Sequence, residues 1–186
     1  MLRPEKIDRI AKLHCELFRL HDERDWQQFG NSVVNYATEL GYERRAAKEA
    51  CPHVISAYWN SDRAVDAQED KNAALEALHY DRVLEEFTEA HRLLGAETKS
   101  PVYKVGWYKG ARHKNHLQVL GNLFMEHHSK FSLKRLDLTI QTTYLSCAKA
   151  YPAHNSHDWE ALTAVLTDYW TAISKSYGTY RLPIEL

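Results

Sequence analysis

The stretch PEKIDRIAKLHCELFRLH, Pro4 to His21, places Ile7, Ile10, Leu13, Leu17 and Leu20 three or four residues apart. A period of 3.6 residues brings such positions to one face, so the spacing predicts an amphipathic helix. Pro4 suits the first turn, where a backbone N–H has no intrahelical partner to lose. The same N-terminal stretch alternates charge with apolar residues. It lacks the apolar region and small-residue cleavage site of a signal peptide. No apolar run nears the roughly 20 residues that span a bilayer. The expectation is a soluble, cytoplasmic chain with no membrane partner.

Helical spacing continues outward from there. Trp26, Phe29, Val33, Tyr36 and Leu40 mark a second helix over Asp25 to Leu40, with Gly41 as its stop. A third is expected from Glu43 to about Tyr58, kinked or divided by Pro52. A fourth runs from Ser61 or Asp62 to Leu94, with a break near Asn72 because its first third, DRAVDAQEDKN, is polar. Its inward stripe is read as Leu75, Leu78, Val83, Phe87, Ala90 and Leu94, ended by Gly95. Helices are further expected over Arg112 to His127, from Ser132 to just before Pro152, and from near Ser156 to Gly178. Between the fourth and fifth lies an irregular stretch, Ala96 to Ala111; a connection this long in a compact domain is usually functional or disordered. Seven glycines and five prolines leave little room for the turns of an all-β protein. The fold class is all-α: one domain over residues 1–186, a bundle of six to eight helices with one long irregular basic-aromatic loop. Cys15, Cys51 and Cys147 are odd in number and far apart, which favours reduced thiols over disulfides or a zinc knuckle.

Net charge is −1, so the chain as a whole neither attracts nor repels nucleic acid. By segment it is sharply divided. Residues 62–97 hold ten acids and four bases, net −6; residues 99–135 hold eight bases and one acid, net +7. Within the latter, YKVGWYKGARHKNH, Tyr103 to His116, interleaves cations with aromatic rings. Lysine and arginine neutralise phosphates, and aromatic faces stack bases. Lys104, Lys109, Arg112, Lys114, Lys130, Lys134 and Arg135 are the candidate phosphate contacts, and Tyr103 and Trp107 the stacking platforms.

Other motifs compete. Glu85, Glu86 and Glu89 in LEEFTEAHRLL are similar to the EExxE half-motif of the all-α nucleoside-triphosphate pyrophosphatases. The resemblance implies carboxylates one turn apart holding magnesium against a triphosphate. That family also uses an ExxD on a later helix, and none follows here. Arg9 and His14 match the R-x4-H spacing of helical ribonucleases of the HEPN type, which would imply acid–base cleavage of RNA. In that family the motif lies late in the domain; here it lies in the first helix. His14, His21 and Asp22 give part of the pattern of metal-dependent phosphohydrolases of the helical His-Asp type. His113 with His116, His154 with His157 and Asp158, and His21 with Asp22 are each read as surface or capping histidines. VVNYATELGYERRAAKEA, Val33 to Ala50, has the outline of a helix-turn-helix, although Glu43 and Glu49 would repel a phosphate backbone. No glycine-rich phosphate loop or nucleophile elbow is present.

The expectation is therefore a non-enzymatic helical binding or accessory protein. It would contact nucleic acid or another polyanion through residues 99–135, within a larger assembly, with no cofactor, metal ligand or catalytic residue assigned. One alternative is a protein–protein adaptor, with a protein partner or a second copy of the chain, using complementary acidic (62–97) and basic (99–135) surfaces. The other is a metal-dependent nucleotide pyrophosphatase-like enzyme using Glu85, Glu86 and Glu89.

Overall fold

The computed structural model describes residues 3–94 and 149–176. The helices expected over 112–127 and from Ser132, the basic-aromatic loop, Cys147 and the stop at Gly178 lie outside the described residues. Within them the chain is an all-α bundle with no strand. Helix α1 is Pro4–Asp22, α2 is Trp26–Glu39, α3 is Arg44–Glu69 and α4 is Ala73–Leu93. Residues 149–155 are helical and are labelled α5; α6 is Trp159–Ser176.

The first two helices fall where their apolar stripes put them. The third does not end near Tyr58. It runs unbroken for 26 residues with Pro52 inside, about 39 Å. Proline removes one backbone bond, here the one to the Lys48 carbonyl. Both residues are solvent-exposed, so water can take that carbonyl and the helix is not divided. The polar stretch assigned to the next helix is in fact the C-terminal part of α3, and the chain reverses at Asp70–Asn72. Two further boundaries differ. The helix expected to stop before Pro152 includes it and ends at residue 155, and α6 begins at Trp159 rather than near Ser156.

The turns share one construction. After α1, α2, α3 and α5 a residue with positive φ closes the helix: Arg24 (55°), Gly41 (101°), Lys71 (56°) and His157 (54°). Each donates its N–H to the carbonyl three residues back, and the next residue donates to the carbonyl five back, as in Asn72 N–H to Ala67 O at 2.8 Å. This double bond pattern satisfies carbonyls that a helix end otherwise leaves open. In three of the four turns the following residue at once caps the next helix. Asp25 accepts from Gln28 N–H, Asn72 from Leu75 N–H and Asp158 from Ala161 N–H, at 3.0–3.1 Å. Connections this tight make consecutive helices antiparallel neighbours.

Helix α1 lies against both α2 and α6, α2 against α3, and α3 along α4. Among the described residues, Trp170, Phe29, Ile10, Leu162 and Val83 are the largest fully buried side chains. Helices α2 and α3 approach closely at Gly30, where a Cβ would stand 3.3 Å from both Cys51 Sγ and Ile55 Cδ1. On α4 the buried side is His79, Tyr80, Val83, Phe87 and Ala90, while Leu75 and Leu78 are exposed, contrary to the expected stripe. Trp59 of α3 is also exposed, and the Arg63 guanidinium lies 4.7 Å over its ring.

Candidate functional site

All nine residues assigned to the polyanion surface, Tyr103, Lys104, Trp107, Lys109, Arg112, Lys114, Lys130, Lys134 and Arg135, lie outside the described residues. Chemistry-bearing groups within them gather in two places.

The first is a polar ladder between α3 and α4. Glu86 accepts from Ser56 Oγ at 2.8 Å through one carboxylate oxygen and from His53 Nδ1 at 2.7 Å through the other. One turn along, Asn60 donates to the Ser56 carbonyl at 2.9 Å, and its own Oδ1 accepts from His79 Nδ1 at 3.0 Å. The ladder explains why Ser56, Asn60 and His79 turn inward: each polar group brought out of water meets a partner. It also fixes the His53 ring, because a carboxylate can only accept and so puts the proton on Nδ1. His53, about one-third exposed, then carries an oriented imidazole at the hairpin surface.

This arrangement separates the three glutamates of the EExxE-like motif. Glu86 is turned into the ladder, Glu89 pairs with Arg92, and Glu85 is exposed. The hydrogen bond and charge of Arg92 hold the Glu89 carboxyl below its ordinary range. Among the described residues no three His, Cys, Asp or Glu side chains are placed to hold a metal ion.

The second place joins α1, α3 and the α5–α6 corner. Asp22 Oδ2 lies 3.0 Å from His154 Nε2 and 3.6 Å from His157 Nε2. Asp22 Oδ1 lies 3.6 Å from His21 Nδ1, whose other nitrogen, Nε2, is 3.1 Å from Asp62 Oδ1. Two histidine pairs read separately in the sequence thus meet on one carboxylate. The surface reading fails for His21, which is buried against Tyr58, Trp26 and Phe29. It fits His157, whose side chain is two-thirds exposed and stacks on Trp159. Asp62 carried no sequence signal beyond belonging to a polar stretch. Burial alone would keep His21 neutral; the Asp22 and Asp62 carboxylates beside its two ring nitrogens outweigh it and raise its pKa above the usual 6.5. Burial acts on Asp22 in the opposite direction, yet His154 and His21 hold its carboxyl well below the ordinary range.

The remaining motifs come apart. Arg9 and His14 do not act together: Arg9 is exposed and bonds Glu39 of α2, while His14 is buried. Trp170 Nε1 donates to His14 Nδ1 at 3.3 Å, so that nitrogen carries no proton. Cys15 donates to the Trp159 carbonyl at 3.4 Å, and burial pushes its thiol pKa up, the opposite of a reactive cysteine. In the helix-turn-helix outline, Arg45 pairs with Glu49 and Arg44 bonds Asn35, all on the surface. No helix of the described residues is long and apolar enough to cross a membrane. No protein-family model, curated protein or solved structure matches the chain.

Proposed function

We propose that the chain is a non-catalytic binding protein that contacts nucleic acid, or another polyanion, through residues 99–135 as an accessory part of a larger assembly. The observation that carries this reading is the charge division of the sequence: net +7 over residues 99–135, with Tyr103 and Trp107 among the cations, directly after a net −6 segment. Within the described residues, three carboxylates of the acidic segment have local partners: Asp62 lies beside His21, Glu86 accepts from Ser56 and His53, and Glu89 pairs with Arg92.

The test is a mobility-shift titration against single- and double-stranded DNA and RNA at two salt concentrations. Binding should weaken steeply with salt, and replacing Lys109, Arg112 and Lys114 with glutamate should abolish it. Unchanged affinity in that triple variant rejects the assignment.

A second reading, the adaptor, draws on a separate observation. Asp66, Glu69, Asp70 and Glu85 are exposed on the α3–α4 hairpin, which also exposes Trp59, Leu75 and Leu78. It requires association that salt reverses with no nucleic acid present, read by sedimentation velocity. The pyrophosphatase-like reading requires magnesium-dependent nucleotide turnover that Glu86→Gln removes; the engagement of Glu86 with Ser56 and His53 counts against it.

A further inference from the structure

We propose that the outer face of the α3–α4 hairpin is a self-complementary interface, on which a second copy of the chain docks antiparallel about a twofold axis. The inference stands apart from polyanion binding and, unlike the adaptor, draws no charge from residues 99–135.

The face follows from helical spacing. The seam between the two helices is marked by Asn60 with His79 and by Ser56 and His53 with Glu86. On one side of that seam lie the buried residues, Tyr58, Ser61 and Ala64 of α3 and Tyr80, Val83 and Phe87 of α4. On the other side Trp59, Arg63, Asp66 and Asp70 recur every three or four residues along α3 and its cap, as do Leu75, Leu78 and Arg82 along α4. Every one of them is exposed. Both guanidiniums come near enough to His79 to add, after burial, to the lowering of its pKa, which agrees with their flanking the seam together.

The arginines are uncommitted. Among the described residues neither meets a carboxylate of its own chain. The Arg63 guanidinium lies over the Trp59 ring, and Glu86, one turn beyond Arg82, is taken by Ser56 and His53. Trp59 and the arginines are also the residue types that concentrate binding energy at protein interfaces.

The charges are ordered along the hairpin. The seam pairs put Leu75 at about the level of Asp66, Leu78 at that of Arg63, and Arg82 at that of Trp59. From the turn inward the face therefore reads acid at Asp70, acid with Leu75, base with Leu78, and base with Trp59. A copy stacked in the same direction would set like charge on like. A half-turn about an axis lying across the hairpin, between the levels of Asp66 and Arg63, reverses the order. Arg63 then faces the second copy's Asp66 along the α3 side, and Leu75 faces its Leu78 along the α4 side. Arg82 faces the end of the second hairpin, where Asp70 lies. Twofold symmetry makes each of these contacts occur twice.

The experiment is sedimentation velocity on the whole chain, without nucleic acid, over a series of concentrations into the high micromolar range. The unaltered chain should dimerise as concentration rises. Arg63→Glu and Asp66→Arg, at exposed positions, should each weaken the dimer on the order of tenfold or more, because each sets like charges opposite one another at two places. An equal mixture of the two variants should associate again, since every charge then meets its opposite, and so should the chain that carries both substitutions. Leu78→Arg should also break the dimer, and decides the matter if a charge reversal does not fold. A chain that is monomeric throughout, a dimer indifferent to these substitutions, or a mixture no more associated than either variant alone overturns the interface. Residues 99–135 are intact in every variant, so this result stands or falls separately from polyanion binding.

Discussion

Trp170 fills the centre of the interface between α1 and α6 and donates its indole N–H to His14. Its volume and its one polar atom are both used, so they can be tested apart. Trp170→Phe keeps most of the volume and removes the donor; urea denaturation should show a loss of about 1–3 kcal/mol with an unchanged slope. Trp170→Ala should cost about 3–5 kcal/mol. Little of this was legible in the sequence. Trp170 falls on the apolar stripe of its helix, but a histidine at position 14 reads as polar, and only the fold shows it surrounded by Phe18, Tyr36 and Trp170. The same holds for Asp22. Its adjacency to His21 is visible in the sequence, but its nearness to His154 depends on a contact between chain segments 132 residues apart.

At the scale of the element, the sequence marks helices well where apolar residues alone face the core and poorly where polar residues share that duty. Helix α1 follows its stripe from Pro4 onward. Helix α3 loses apolar periodicity after Tyr58, because Asn60 and Ser61 are buried and Asn60 bonds across to α4; nothing at Trp59 to Asp62 breaks the helix. The inward side of α4 follows the expected stripe at Val83, Phe87 and Ala90 and departs from it in the first turns, for the same reason. His79 is drawn in by Asn60, and Leu75 and Leu78 turn outward. The turn that ends α3 was hidden as well, since Lys71 in a left-handed conformation has no sequence signature of the kind that Gly41 provides. A lysine there is mildly strained, and Lys71→Gly should raise stability by about 1 kcal/mol in thermal or urea unfolding. Asn72→Ala, which removes the bond to Leu75 N–H at the start of α4, should lower it by about 0.5–2 kcal/mol. Leu78→Ser should change stability by less than about 0.5 kcal/mol, as its side chain is nearly half exposed.

For the whole molecule, the charge division predicts the form of any polyanion binding. Each phosphate neutralised on a duplex contributes about 0.9 to the slope of log affinity against log salt. Replacing Lys109, Arg112 and Lys114 with alanine should therefore lower that slope by up to about 3. A fluorescence-anisotropy titration over a salt series measures it directly. A slope unaffected by the triple alanine variant would place the contact elsewhere on the chain.

The order of the helices has a kinetic consequence. Helices α1, α2 and α3 each meet the next one through a turn of a few residues, so those pairings close short loops and can form early. The seam between α1 and α6 is different: Cys15 meets Trp159 across 144 residues and Trp170 meets His14 across 156. Bringing such distant partners together carries the greatest entropic penalty of loop closure. Docking of α6 should thus be the slow, late event of refolding, and its release the first step when the protein begins to unravel.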